Sequence, residues 1–353
     1  MKVQVNRKEL LKAIDAVKLS IPSNLRCYML KYIVVNVENN RVTVTATDLE
    51  TTIKAWVHCN SEDVGELLLP AKEFRKFVAA VDDCNEIKIE VDSGEIVLKA
   101  NQHIATFRIC TDDYVPIPSF ESSYSTCILN LADQLKKIDW NMAVDSTRPV
   151  LSSVYFTGET LVAADGFTLG IVPVQIEGKS KKCDLIIPSG AISKIIKLKM
   201  NVVELEFALL GNVKFVRVTK ENVELTTICV QGTYPDYLRM MLEDNPNNIT
   251  LSSKALLRSV RAMRIVDSMS TIKLESHENV LRIWKQNPDS EIAVQSSVKA
   301  QGVLKIALDD VFLFNALIRC KGNLSISSSN ATSSVTVRNS DSIWVIMPVF
   351  LRW

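Results

Sequence analysis

The side chains that most often do chemistry in proteins are few and widely spaced in this 353-residue chain. Its three histidines, His58, His103 and His277, lie far from one another. Its eight cysteines come no closer than the 17 positions between Cys110 and Cys127, so the chain has no CxxC element. This spacing gives no support to a zinc site or a thiol redox centre. In a reducing compartment the cysteines are most simply small buried hydrophobic residues.

Motifs of the common catalytic folds are absent as well. The sequence contains no GxxxxGK[ST], GxGxxG, GxSxG or HExxH, which excludes most phosphate-loop, dinucleotide, serine-hydrolase and zinc-protease chemistry. A hydrolase or transferase would have to use isolated acids such as Asp48 and Asp165. These two lie 117 positions apart in similar segments, where a turn-forming role is the better interpretation. We therefore predict no enzyme, no catalytic residue, no cofactor and no metal.

Basic residues are concentrated on the segments with helical spacing, although the net charge of the chain is only +1. These segments hold 17 basic and 7 acidic residues, whereas the rest of the chain holds 24 basic and 33 acidic residues. The predicted helices are 7–18, 71–80, 131–140, 188–200, 252–266 and 308–320. A positive set of helices in an otherwise negative chain is suited to a polyanion, although a solvated mixed surface is the simpler alternative.

The helix predicted at 252–266 shows the charge pattern most clearly. Its cations recur at steps of four, three and three residues and so line one face: Lys254, Arg258, Arg261 and Arg264. The apolar residues that would pack on a sheet are Leu256, Leu257, Val260 and Met263. A stripe of this kind neutralises phosphates without reading bases. No recognition-helix or RNA-binding motif accompanies it, so any nucleic-acid binding should be indifferent to sequence.

The helices recur in three copies along the chain. The first helix of each copy begins near Asn6, Asn130 and Ser252, at offsets of 124 and 122 residues, and each of these side chains could cap the helix. A second helix recurs from 70–77 to 188–195 and 307–314. Alternating runs such as 32–37 and 41–46, separated by polar turn pairs, predict strands between them.

We therefore predict an α+β fold of three repeated domains, each with two helices against about eight strands in antiparallel sheets. Linker-like segments place these domains at 1–122, 126–242 and 248–353. No apolar run approaches the ~18 residues of a membrane span, and the first residues do not resemble a leader. We expect a cytoplasmic protein that does not bind membranes.

Five short segments, in matching order and spacing, resemble a known family, the bacterial DNA polymerase III β subunit or sliding clamp. They are Ala46–Glu50 (ATDLE), Thr147–Leu151 (TRPVL), Leu161–Leu169 (LVAADGFTL), Tyr234–Tyr237 (YPDY) and Val345–Val349 (VIMPV). The resemblance spans essentially the whole chain. It implies a homodimer closed head to tail into a ring, with helices toward a threaded duplex and sheets outside. Such a clamp would hold DNA by enclosure and give processivity to a polymerase.

The resemblance also implies an apolar pocket for short peptides of the polymerase III α subunit, the clamp loader and other proteins with a clamp-binding motif. Carried over position by position, the pocket comprises Arg148, Val150, Leu151, Ala164, Gly166, Phe167, Leu169, Pro235, Met240, Met347, Pro348 and Val349. This chain departs from the family at Ala164, usually Thr, and at Phe167-Thr168, usually His-Arg. Its tail, Phe350–Trp353, is also longer and more aromatic.

Two further sets of residues follow from the resemblance and from the helical charge. The expected duplex contacts are Arg26, Lys72, Lys194, Lys197, Lys199, Lys254, Arg258 and Arg261. The expected ring-closing residues are Phe107, Ile109, Ile265 and Val266. A solvated surface remains the alternative for the first set, and a buried core for the second. A peptide-binding adaptor that does not thread DNA is the alternative function.

Overall fold

The computed structural model of the chain describes residues 1–22, 27–38, 40–61, 63–92, 94–145, 147–178, 182–241, 246–266, 271–286 and 293–350. The predicted duplex contact Arg26 and the tail residues 351–353 lie outside this described part.

All six predicted helices are present. They are α1 (Arg7–Val17), α2 (Ala71–Ala80), α3 (Leu131–Ile138), α4 (Ser189–Lys197), α5 (Ser253–Met263) and α6 (Asp310–Leu317). The capping prediction is right for Asn6, whose Oδ1 accepts hydrogen bonds from the amides of Lys8 and Glu9. It is wrong for Asn130, whose Oδ1 accepts the amide of Gln175 instead, and for Ser252, which makes no side-chain cap.

The strands follow the predicted alternation of apolar and polar residues. Those before residue 123 are β1 (Lys2–Asn6), β2 (Tyr32–Glu38), β3 (Arg41–Thr47), β4 (Thr51–Asn60), β5 (Gly65–Pro70), β6 (Glu86–Asp92), β7 (Glu95–Ala100) and β8 (His103–Arg108). The next group is β9 (Tyr124–Ile128), β10 (Ser153–Phe156), β11 (Thr160–Ala164), β12 (Thr168–Pro173), β13 (Ile176–Glu177), β14 (Leu185–Pro188), β15 (Val203–Leu210), β16 (Val213–Lys220) and β17 (Val223–Ile228). The last group is β18 (Asn247–Ser252), β19 (Thr271–His277), β20 (Val280–Gln286), β21 (Ala293–Gly302), β22 (Lys305–Asp309), β23 (Asn323–Ser328), β24 (Val335–Arg338) and β25 (Ile343–Ile346).

These strands form two antiparallel sheets, each within one compact unit. The first unit comprises 1–129, 176–178 and 193–229; its 13-stranded sheet runs β13-β9-β15-β16-β17-β4-β1-β6-β7-β8, and a branch continues from β4 through β3 and β2 to β5. The second unit comprises 130–175, 179–192 and 230–353; its 12-stranded sheet runs β14-β10-β11-β12-β25-β24-β23-β18-β21-β20-β19-β22. Each sheet therefore combines strands from two of the predicted repeats, and the three-domain boundaries stay a prediction.

Helix α5 illustrates how the sequence positions a charged face. Leu256, Val260 and Met263 are fully buried in the core of the second unit, beside the largest buried side chain, Trp344. Because these residues fix the inward side of the helix, the basic residues between them must face outward. No helix in the described part of the chain is long and apolar enough to cross a bilayer.

Candidate peptide cleft and nucleic-acid interface

An apolar cleft of about 300 Å³ opens in the second unit where β12 begins beside the end of β25. Antiparallel pairing sets Thr168 against Ile346 and Leu169 against Val345, and the amide of Met347 donates to the carbonyl of Phe167 at 2.9 Å. This register brings two segments almost 180 positions apart to the same edge. The cleft is lined by Ala164, Gly166, Phe167, Thr168, Leu169, Arg239, Met240, Ser334, Val345 and Met347.

The turn that carries Phe167 is shaped by Asp165. Its Oδ1 accepts the amides of Phe167 at 2.8 Å and Thr168 at 2.7 Å. Gly166 between them has φ +96°, a left-handed conformation that side chains rarely adopt. These contacts hold the Phe167 ring out from the sheet rather than within it.

The mouth of the cleft is formed by exposed apolar side chains. Phe167 is 62% exposed, Met240 is 49% exposed and Met347 is 47% exposed. Arg239, beside Met240, forms an exposed ion pair with Asp236 at 2.8 Å. An aromatic ring and two flexible thioethers around an apolar floor make a surface that can adapt to apolar side chains of a peptide.

The predicted pocket residues divide between the lining and its surroundings. Ala164, Gly166, Phe167, Leu169, Met240 and Met347 line the cleft. Of the others, Val150 packs on the buried cluster of Leu169 and Val345 beneath it, and Arg148 Nη1 lies 3.5 Å from the Asp165 carbonyl. The remaining predicted residues, Leu151, Pro235, Pro348 and Val349, are not in its lining.

Thr168, Arg239, Ser334 and Val345 line the cleft but were not predicted. The strand register explains Val345, which faces Leu169. Arg239 could have been found from its position next to Met240. Ser334 precedes β24, and nothing local to its sequence indicates that it reaches the cleft.

An aromatic cluster supports the cleft from below. The rings of Tyr155 and Tyr234 stack with centroids 4.9 Å apart, and Tyr237 contacts both edge-on. Burial raises the pKa of Tyr234 far above its usual value, so this phenol stays neutral at any physiological pH. The Tyr234 ring beneath the cleft therefore carries no charge.

The outward face of α5 carries the basic stripe that the sequence predicts. Lys254, Arg258 and Arg261 are exposed, and none forms an ion pair within the described residues. Arg264, at the end of the stripe, lies with its guanidinium carbon 4.4 Å from the centroid of Phe314 on α6. Among the described residues, no acid forms an ion pair with Lys254, Arg258 or Arg261 on this face.

Other helices of the second unit have their cations compensated. On α3, Lys136 pairs with Asp133 at 3.2 Å and Lys137 pairs with Asp341 at 2.6 Å. Arg319, just after α6, pairs with Asp139 at 3.0 Å. The segments 131–140 and 308–320 carry no net positive charge, and these ion pairs further reduce what α3 and α6 offer to a polyanion.

In the first unit, the predicted duplex contacts again differ from one another. Lys72, Lys197 and Lys199 are exposed. Lys194 is buried and donates to Asp48 in an ion pair, because its position on α4 faces the turn between β3 and β4. Its charge is used inside the unit, so we leave Lys194 out of the proposed duplex contacts.

Asp48 and Asp165 serve as turn-forming residues, as the sequence indicates. Asp48 Oδ1 accepts the amides of Glu50 and Thr51 at 3.2 and 2.7 Å, matching the bonds of Asp165 in its own turn. Glu50 lies near Asp48, and burial together with the Asp48 charge raises the pKa of the Glu50 carboxyl. The described residues also contain no cluster of three or more His, Cys, Asp or Glu that could hold a metal.

The residues predicted to close a ring lie at two surfaces. Phe107 is half-buried on β8, the edge strand of the first sheet, and Ile109 follows it. Ile265, after α5, is 69% exposed, whereas Val266 is buried in the second unit. Val266, being buried, could not touch a partner itself and could only pack beneath Ile265.

Comparison with known proteins shows similarity to one protein family over most of the chain. A family model described as "DNA polymerase III beta subunit, N-terminal domain" matches residues 1–120, and one described as its "central domain" matches residues 129–236. The chain is 23% identical over 370 residues to the beta sliding clamp of Vibrio cholerae, covering 99% of this chain and 100% of that protein. It is 25% identical over 307 residues to the beta sliding clamp of Streptococcus pneumoniae, covering 81% and 80%.

Solved structures show the same fold. The DNA polymerase sliding clamp from Bacillus subtilis superposes with a TM-score of 0.90 at 18% identity, over 100% of both chains. A sliding clamp from Pseudomonas aeruginosa, solved bound to griselimycin, superposes with a TM-score of 0.88 at 22% identity, over 99% of this chain and 100% of that one.

Proposed function

The chain belongs to the bacterial DNA polymerase III beta subunit family, and on that premise we propose that it is a DNA sliding clamp that gives processivity in DNA replication. The two family models, which together span both of the first two predicted domains, carry this conclusion. The beta sliding clamp of Vibrio cholerae matches over 99% of this chain and 100% of its own length, which favours a sliding clamp over a clamp-like module.

Binding to duplex DNA is part of the proposal. The uncompensated cations of α5 and the exposed Lys72, Lys197 and Lys199 would contact phosphates without reading bases. Each contact is exposed and therefore weak and screened by salt, so the protein could slide. Two copies closed head to tail, through Phe107 and Ile109 of one and Ile265 of the other, would hold the duplex by enclosure rather than by affinity. No catalytic step is required of it.

The cleft beside Phe167 is proposed to dock short peptides of the replicative polymerase, the clamp loader and related partners in the cytoplasm. Its apolar floor would take one or two large apolar side chains, while Arg239 at the rim would meet polar or acidic groups. The aromatic Phe167, in place of the usual His, favours partners with aromatic or thioether side chains at that position.

The function is tested by loading the protein on nicked circular DNA and then cutting the circle. A clamp remains with the circle through gel filtration and is lost after linearisation, and the sequence of the DNA makes no difference. A peptide-binding adaptor that does not thread DNA would bind the polymerase peptide but show no difference between circle and line, which would overturn the proposal.

A further inference from the structure

A second cleft, of about 730 Å³, lies in the first unit between the end of α1 and the start of α2. It is unrelated to the cleft beside Phe167, which belongs to the second unit. Its floor is apolar, formed by residues such as Leu19, Ile21 and Pro22, and its rim carries the cations Lys18, Lys31 and Lys72. The cleft therefore combines a shielded apolar surface with positive charge.

The charge at the rim is only partly neutralised. Asp15 pairs with both Lys18 and Arg75 at 2.6 Å, so its single charge offsets one of these two cations. Lys31 and Lys72 form no ion pair within the described residues, and Glu73 is the one acid that lines the cleft there. A ligand that enters between Lys31 and Lys72 would meet net positive charge.

An exposed aromatic ring, that of Tyr28, lies beside Lys31. Tyr28 is 59% exposed, and the Nζ atom of Lys31 lies 5.0 Å from its ring centroid. The hydroxyls of Tyr28 and Tyr32 are 2.9 Å apart, and the two rings meet edge-to-face with centroids separated by 5.4 Å. The hydrogen bond to Tyr28 raises the pKa of Tyr32 to about 12. The Lys31 ammonium thus lies over the Tyr28 ring, and Tyr28, 59% exposed, keeps ring surface accessible to a base.

These features favour an unpaired nucleotide over a duplex. A duplex keeps its bases stacked inside and presents sugar and phosphate, which need only surface cations. An apolar floor and an open ring next to unpaired lysines are instead what single strands use, since a base stacks while its phosphate is neutralised. Resting on the clamp function proposed above, we propose that this cleft binds single-stranded DNA, with a base against Tyr28 and a phosphate between Lys31 and Lys72.

The test is the equilibrium binding of a fluorescently labelled oligothymidylate of about ten nucleotides, long enough for one such site. We expect Tyr28→Ala to weaken binding about tenfold and Lys31→Ala to weaken it several-fold, whereas Tyr28→Phe keeps the ring and stays within about twofold of the unmodified protein. Lys88→Ala is the matched control, because Lys88 is an exposed lysine on β6 of the same unit and lies outside the cleft.

Oligothymidylate binding that is unchanged by both Tyr28→Ala and Lys31→Ala would overturn the proposal. So would displacement of the oligothymidylate by an equal concentration of blunt duplex, which would indicate a general phosphate surface. If Tyr28→Ala fails to fold, Lys31→Ala decides alone, since Lys31 is exposed. Retention of the unmodified protein on circular DNA is measured separately. Loss of retention on circular DNA would contradict the proposed clamp function, whereas the oligothymidylate affinities test only whether the cleft binds single-stranded DNA.

Discussion

Single residues in this protein are used in ways that their type alone does not reveal. Asp48 and Asp165 are the acids most easily mistaken for catalytic groups, yet the Oδ1 atom of each accepts hydrogen bonds from two backbone amides of a turn. Lys194, one of the cations expected to contact DNA, is buried against Asp48. Conversely, Phe167, which stands where the family usually has His, is exposed at the mouth of a cleft.

Phe167→Ala should weaken binding of a polymerase-derived peptide about tenfold, because it removes an aromatic contact from the rim of the cleft. The free energy of unfolding should stay within about 0.5 kcal/mol of the unmodified protein, since the ring is largely exposed. Peptide titration and chemical denaturation measure the two effects. Leu209→Ala, at an exposed leucine on β15 of the first unit, is the matched control and should change neither. Unaltered peptide affinity in Phe167→Ala would contradict the proposed cleft.

Asp15 gives a pH-dependent contribution to stability. Burial opposes its ionisation, but the hydrogen bonds and charges of Arg75 and Lys18 outweigh that and hold its pKa below the usual 3.8. A carboxylate with a lowered folded-state pKa stabilises the protein above 3.8, and this contribution disappears as the pH falls through the folded value. The bridge is partly exposed, so its worth at pH 7 is about 1 kcal/mol.

Asp15→Asn should therefore lower the free energy of unfolding by about 1 kcal/mol at neutral pH, with a difference that shrinks toward zero as the pH falls below 3.8. Urea denaturation over a pH series measures it. Asp82→Asn, at an exposed acid after α2, should show no such trend. A deficit for Asp15→Asn that does not change with pH would contradict the role given to its charge.

For the helices, the sequence predicted their positions but not which of their cations form ion pairs. Apolar spacing and repetition located all six helices, and on α5 the buried Leu256, Val260 and Met263 leave the cations outward as expected. On α3 the two acids of the segment already balance its two lysines, and Lys137 also pairs with Asp341, some 200 positions away, which no count within the helix could show. Six of the ten residues that line the cleft were predicted from the family resemblance, whereas Val345 and Ser334 required the pairing of β12 with β25 and the course of the chain before β24.

The contrast between α5 and α3 gives a paired prediction. Arg258→Ala with Arg261→Ala should lower the slope of log affinity for a short duplex against log salt by about 2, because each lost phosphate contact releases about one fewer counterion. Lys136→Ala with Lys137→Ala removes the same charge from α3 but should change the slope far less, since both lysines are already paired. Binding isotherms between about 50 and 200 mM salt measure both slopes. Equal losses in the two variants would show that compensation does not matter.

Across the whole molecule, the three sequence repeats do not coincide with the two compact units of the structure. Three repeats were expected, but β4 of the first repeat pairs with β17 of the second, with Ile53 opposite Leu225, and β12 of the second pairs with β25 of the third. Pairing between strands far apart in sequence leaves no local signal, so two continuous sheets could not be foreseen from alternation alone. The family relationship, carried by short turn and strand segments, nevertheless identifies the molecule.

Enclosure of the duplex is the central claim, and residence on linear DNA with free or blocked ends tests it most directly. If the protein surrounds DNA, molecules loaded on a linear duplex leave within the time needed to slide to a free end, and a bulky protein bound at both ends restores the long residence seen on a circle. Equal residence times with free and blocked ends would show that the protein holds DNA by surface contact alone and would contradict the clamp.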